Sequence, residues 1–172
     1  MRWISVLSPR AKWLLLLSAI VVASYILYRM LHGEWYLFAL RHGYPPQDFV
    51  TVRRLLDKAE RGLPLSPHEF EALKRYAHHE RWSIRVRVLT TFWFLAETPY
   101  APEARRIAHQ LIADPEWVVR GYALRALYYL RDPQVEEIAR QRLSDPQEHE
   151  RVRERAWDIL GKIQEERKEE GE

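Results

Sequence analysis

"DPEWVVRGYALRALYYL", residues 114–130, sets a single arginine, Arg120, inside an otherwise apolar stripe. Val119, Ala123, Leu127 and Leu130 recur three or four residues apart, which is the spacing of one helix face. Asp114-Pro115 stands just ahead of them, where a helix starts. Arg120 lies beside the stripe, so its five donors can reach helix ends and the cap aspartate of an adjoining element.

The same pattern recurs along the chain. "WSIRVRVLTTFWFL" (82–95) falls without gaps on "WVVRGYALRALYYL" (117–130) at an offset of 35, placing Arg85 on Arg120 and Leu95 on Leu130. "RVRERAWDILGKI" (151–163) follows at an offset of 33, placing Val152-Arg153 on Val119-Arg120. Residues 48–61, with Val52-Arg53, read as a degenerate first member. A period of this length implies stacked helical hairpins that share their apolar faces.

Outward from these repeats every segment reads helical. Helices are expected at 48–61, 66–79, 80–96, 101–113, 115–130, 133–143 and 147–166, with proline-marked loops between them. Ser66, Pro67 and Glu69 form a capping-box pattern, and Gly62 marks a stop. Nothing alternates with the period of a strand. The fold class is all-α: a short α-solenoid of about three antiparallel helical hairpins, preceded by one transmembrane helix.

These residues carry a family resemblance. Asp114-Pro115, Val119-Arg120, Ala123, Ala126 and Leu127 resemble the first helix of a HEAT-like repeat, in particular the short bacterial form named after phycobilin lyases. "SDPQEHERVRERAWDILGKI" (144–163) is similar, with two extra residues before its Val-Arg. The resemblance implies a structural ladder between repeats, with Asp114 and Asp145 as acids and Arg85, Arg120 and Arg153 as bases. His79-Glu80 departs from the Asp-Pro pattern at the first clear copy. Recurrence at each repeat assigns these arginines to architecture rather than catalysis.

The transmembrane element rests on "WLLLLSAIVVASYILYRML", residues 13–31. Sixteen residues, Trp13–Tyr28, carry no charge, and the nineteen to Leu31 would rise about 28 Å as a helix, near the roughly 30 Å of a hydrocarbon core. Arg29 can snorkel, and Trp13, Tyr25, Tyr28, Trp35 and Tyr36 suit the two interfaces. A signal peptide cleaved after Ala23 is the alternative for this stretch, and would make the protein a secreted soluble solenoid. The domain reading is a basic flank at 1–12, the span at 13–31, a juxtamembrane aromatic segment and linker at 32–47, the repeat domain at 48–166, and a charged tail at 167–172. Arg2, Arg10 and Lys12 before the span outnumber Arg29 and Arg41 after it, which places the N-terminus in the cytoplasm and the repeats outside.

Composition narrows function. The chain has no cysteine, which removes thiolate metal sites and disulfides. Residues 1–47 carry a net charge of +4 and residues 48–172 a net charge of −1, so the repeats lack the cationic excess that grips nucleic acid. His68-Glu69, His79-Glu80 and His149-Glu150 invite a metal reading. Adjacent helix residues point about 100° apart, however, so a lone pair does not converge on an ion. The positions that bind iron in HEAT-like oxygenases, as the resemblance implies, are here Val86-Arg87 and Gly121-Tyr122. No phosphate loop, zincin motif or serine elbow is present. The expectation is therefore a non-enzyme without cofactor or metal. A bilin-lyase-like or metal-dependent HEAT-like enzyme is the alternative.

Two surfaces are candidates for a protein partner. Helical wheels point Val86, Trp93 and Tyr128 away from the stripe, and place Phe94 and Tyr129 to one side, between repeats. The second helices of the hairpins would show Lys74, Arg75, Arg105, Arg106, His109 and Arg140 on a concave face. Helix 147–166, amphipathic through Val152, Ala156, Ile159, Leu160 and Ile163, is expected to end the stack with a polar face. The reading is a membrane-anchored scaffold or accessory subunit, binding protein through the repeats and the membrane through 13–31.

Overall fold

The computed structural model describes residues 13, 17–18, 20–25 and 41–171. The expected span at 13–31 and the flanks 1–12 and 32–40 lie wholly or largely outside the described residues. Residues 20–25 are helical, and among the described residues no helix is long and apolar enough to cross a membrane. The chain divides into two compact units, Met1–Val50 and Thr51–Glu172.

In the first unit Gly43 turns the chain at φ +68°, and Tyr44 stacks on Phe49 at 5.1 Å. A new helix, α1 (Pro46–Glu60), starts within the segment expected as linker, because proline suits the first turn of a helix and Asp48 favours its dipole. It crosses into the second unit and closes in a Schellman motif. Gly62, also at φ +68°, lets its N–H reach Ala59 O at 2.9 Å and Leu63 N reach Lys58 O at 3.0 Å.

Six helices follow: α2 (Pro67–Tyr76), α3 (Trp82–Phe92), α4 (Ala101–Leu111), α5 (Trp117–Tyr129), α6 (Val135–Ser144) and α7 (Glu150–Glu169). No strand occurs among the described residues. The capping box forms as spaced: Ser66 Oγ accepts Glu69 N while Glu69 Oε2 accepts Ser66 N at 2.7 Å. The Lys58 ammonium, also bonded to Glu69 at 2.7 Å, is the largest cause holding this carboxyl down at about 2.

From α2 onward successive helices pack together, and α3, α5 and α7 also lie side by side, α5 in the middle. The architecture is a short α-solenoid. Ile84, Val88, Phe92 and Leu95 of the first copy, Val119, Ala123, Leu127 and Leu130 of the second, and Val152, Ala156 and Ile159 of the third are all buried. α3 and α5 bury residues beyond this stripe as well. Leu89 and Leu124, one turn beyond the ladder arginines, are 0% exposed, because the next helix of the row covers them.

Most helix ends shift by one to three residues from the sequence reading, and two of the differences have consequences. The helix expected at 80–96 ends at Phe92, and the next amides bond three residues back: Trp93 N to Thr90 O, Phe94 N to Thr91 O, Leu95 N to Phe92 O. Such tightening turns each residue by about 120° instead of 100°. The last helix runs to Glu169, into the segment expected as tail, held by Tyr128 donating to Glu166 and by Arg167 bonding Glu136.

Candidate interaction surface

The ladder arginines come first, because they decide which polar groups are free. Arg85 Nη1 donates to His79 O (2.7 Å) and Glu80 O (2.9 Å), tying the turn before its own helix. Its Nη2 and Nε lie 2.8 Å from the two carboxylate oxygens of Asp114, just ahead of the next helix in the row. Arg120 repeats the arrangement. Nη1 donates to Asp114 O (2.8 Å) and Pro115 O (3.0 Å), while Nη2 reaches Glu148 Oε1 at 2.6 Å.

The acid of that second rung is Glu148, not Asp145. The two extra residues before Val152 set Asp145 back, where its Oδ1 accepts Gln147 N at 2.8 Å, as Asp114 accepts Glu116 N. The longer glutamate fills the rung, with Arg142 also 3.3 Å away. Burial opposes its ionisation, but the hydrogen bonds from Arg120 and His149 N and the charges of Arg120 and Arg142 outweigh burial and leave its carboxyl below the ordinary 4.5. Arg153 stands on the last helix described and has no acid from a following helix among the described residues.

Trp93 and Tyr128 do not project outward. Trp93 stacks on Tyr122 (5.7 Å, 9°) and meets Tyr129 at 5.1 Å, with Arg125 5.3 Å over its ring. Tyr128 carries Lys162 over its ring at 5.6 Å and donates to Glu166; burial first, then that carboxylate, push its phenol up to about 12. Both therefore seal contacts within the row, α3 to α5 and α5 to α7. Val86 is half-buried on α3. Arg155 lies 4.9 Å over Tyr122 and against Gly121, where an added Cβ would come within 3.3 Å of its Nη1. Burial, then the like charge of Arg125, lower its pKa.

The exposed aromatics are others. Phe94 is 43% exposed and Tyr129 36%, at matching positions of successive copies; Trp82 (44%) and Trp117 (36%) match in the same way at the other end of α3 and α5. Trp157 of α7 is 68% exposed. The wheel missed Phe94 because it extended regular helix through 93–95, where the backbone tightens.

The basic face of the second helices is largely neutralised. Arg106 forks onto Glu103 (2.8 and 2.7 Å), Lys74 bonds Glu71 (2.9 Å), and Arg140 pairs with Glu136. Arg105 Nε donates to Leu130 O at 2.9 Å, and His109 meets Asp132 at 3.0 Å, so both brace the stack. Arg75 is exposed. Two of the histidine-glutamate pairs serve turns: His79 Nδ1 accepts Arg81 N, and His149 Nδ1 accepts Arg151 N as the cap of α7. Among the described residues no three His, Asp or Glu side chains gather as a metal would need.

No curated protein and no solved structure matches the chain. Residues 104–169, from within α4 through the end of α7, match the family model of HEAT repeats.

Proposed function

We propose that the chain is a membrane-anchored helical-repeat scaffold, an accessory subunit that holds another protein within a membrane assembly. HEAT repeats generally mediate protein–protein interaction, and stacking creates extended faces suited to it. The observation that carries the reading is the pair of aromatic edges on the α3–α5 row. Arg85, Arg120 and most cations of the repeats are engaged internally, while Phe94 with Tyr129, and Trp82 with Trp117, which also stacks on His149, keep a third or more of their surface open to solvent in register. Aromatic side chains so placed offer large contact area at low entropic cost and dominate binding energy at interfaces. The apolar run 13–31 supports the anchor, and the cation excess before it supports a cytoplasmic N-terminus.

The test is affinity purification of the full chain from detergent-solubilised membranes, with mass spectrometry of what accompanies it. A Phe94→Ser, Tyr129→Ser chain should lose membrane subunits that the parent retains, with its helical melting curve kept. Identical co-purification by both chains would remove this edge as the docking surface.

A further inference from the structure

Among the described residues α7 is the last helix of the row, and no described helix lies against its next-repeat flank. In α3 and α5 that flank holds Arg85 with Leu89 and Arg120 with Leu124, and both leucines are 0% exposed. The corresponding pair in α7 is Arg153 with Trp157, which is 68% exposed and borders a groove of about 610 Å³ shared with Leu143 and Glu154. α7 is also far longer than its counterparts, twenty residues against eleven and thirteen. From that flank a broad strip runs along its outer side: Glu150, Arg153, Trp157, Gly161, Glu165 and Lys168 follow at helical spacing, and Trp157, Gly161 and Glu165 also line a cavity of about 350 Å³ with Arg125 and Tyr128 of α5. A Cβ built on Gly161 meets nothing within 4 Å.

This series is complementary to its own reverse. Laid antiparallel about a two-fold axis, Glu150 falls opposite Lys168, Arg153 opposite Glu165, and Trp157 opposite Gly161, each pair then occurring twice. A bulky indole needs a small residue to pack against, and Gly161 supplies that gap one turn away. An isologous contact demands this kind of self-complementarity, since one patch must serve both subunits. Its Arg153–Trp157 end also stands where α3 and α5 carry the residues that receive the next helix.

We propose that α7 pairs antiparallel with α7 of a second copy of this chain, Trp157 of each seated over Gly161 of the other and Arg153 bonded to Glu165 across the two-fold. The contact uses neither Phe94 nor Tyr129, so its failure and that of the scaffold reading are distinguishable.

The experiment measures the protein mass of the full chain in detergent micelles by light scattering, after chromatography over a range of loading concentrations. The parent should show two chains. Trp157→Ala and Gly161→Leu should each shift it to one chain, the second by filling the gap while leaving the fold's interior untouched. Arg153→Glu should also yield one chain, and Arg153→Glu with Glu165→Arg should restore two, since the swap rebuilds both ion pairs in reverse. That rescue separates a contact from a folding defect. A single-chain mass for the parent at every concentration overturns the proposal, as does a two-chain mass that survives Trp157→Ala and Gly161→Leu.

Discussion

Arg85 and Arg120 do the same work thirty-five residues apart: one nitrogen ties the turn before the helix, and the others grip an acid of the following repeat. Losing one partner of a buried ion pair costs about 3–5 kcal/mol, because the other charge is stranded. Arg85→Ala should fall in that range, since Asp114 would keep only the backbone amide of Glu116. Arg120→Ala should cost less, because Arg142 remains 3.3 Å from Glu148. Denaturant melts of the two full-length variants check the order, and equal losses would contradict the backing role of Arg142. The second rung also sets a pH dependence. Glu148 is 1% exposed at its side chain, and its pKa is depressed in the fold. Its stabilisation is therefore present above the ordinary 4.5 and drains away as pH falls through the lower folded value. Glu148→Gln should flatten the acid limb of the stability curve between 4.5 and that lower value while lowering stability at neutrality.

At the scale of elements, the repeats were readable because stripe, cap and stop signals agreed. Ser66 and Glu69 sit where a capping box needs them, and Gly62 closes α1 by adopting a φ that other residues avoid. Side was harder to read than type. A wheel ranks residues by angle from one stripe, yet a helix packed in a row also covers residues against its neighbour in that row, so Trp93 and Tyr128 looked external and are not. Asp145 was assigned to the ladder by its pattern, but a two-residue insertion handed the rung to Glu148, and only three-dimensional reach decides between them. One helix end violates its own stop chemistry. After α5, Arg131 adopts φ +53° so that Asp132 N can reach Leu127 O at 2.9 Å, the place glycine normally takes. Its side chain pairs with Glu97 at a largely exposed site, which contributes little. Arg131→Gly should therefore raise stability by about 0.5–1 kcal/mol, relief of left-handed strain outweighing the added freedom of the unfolded chain. A fall in the denaturant midpoint would show that the Glu97 pair matters more than the backbone.

For the whole molecule, the proposed anchor and the repeats make one topological prediction that a cysteine-free chain can answer directly. Every thiol in such a protein is one deliberately placed. Leu63, 50% exposed in the turn after α1, and Ser5, ahead of the apolar run, bracket residues 13–31. If the run crosses a membrane once with the cation-rich end inside, a membrane-impermeant maleimide applied to intact cells should label Leu63→Cys and spare Ser5→Cys. Lysis should then expose both. The reverse labelling would invert the orientation, placing the aromatic edges before cytoplasmic partners. Protection of both sites until lysis would mean that the run does not cross the surface membrane, and the scaffold would lose its anchor while keeping its repeats. The charge asymmetry is only three cations against two, so this measurement decides which compartment supplies the protein that Phe94 and Tyr129 meet.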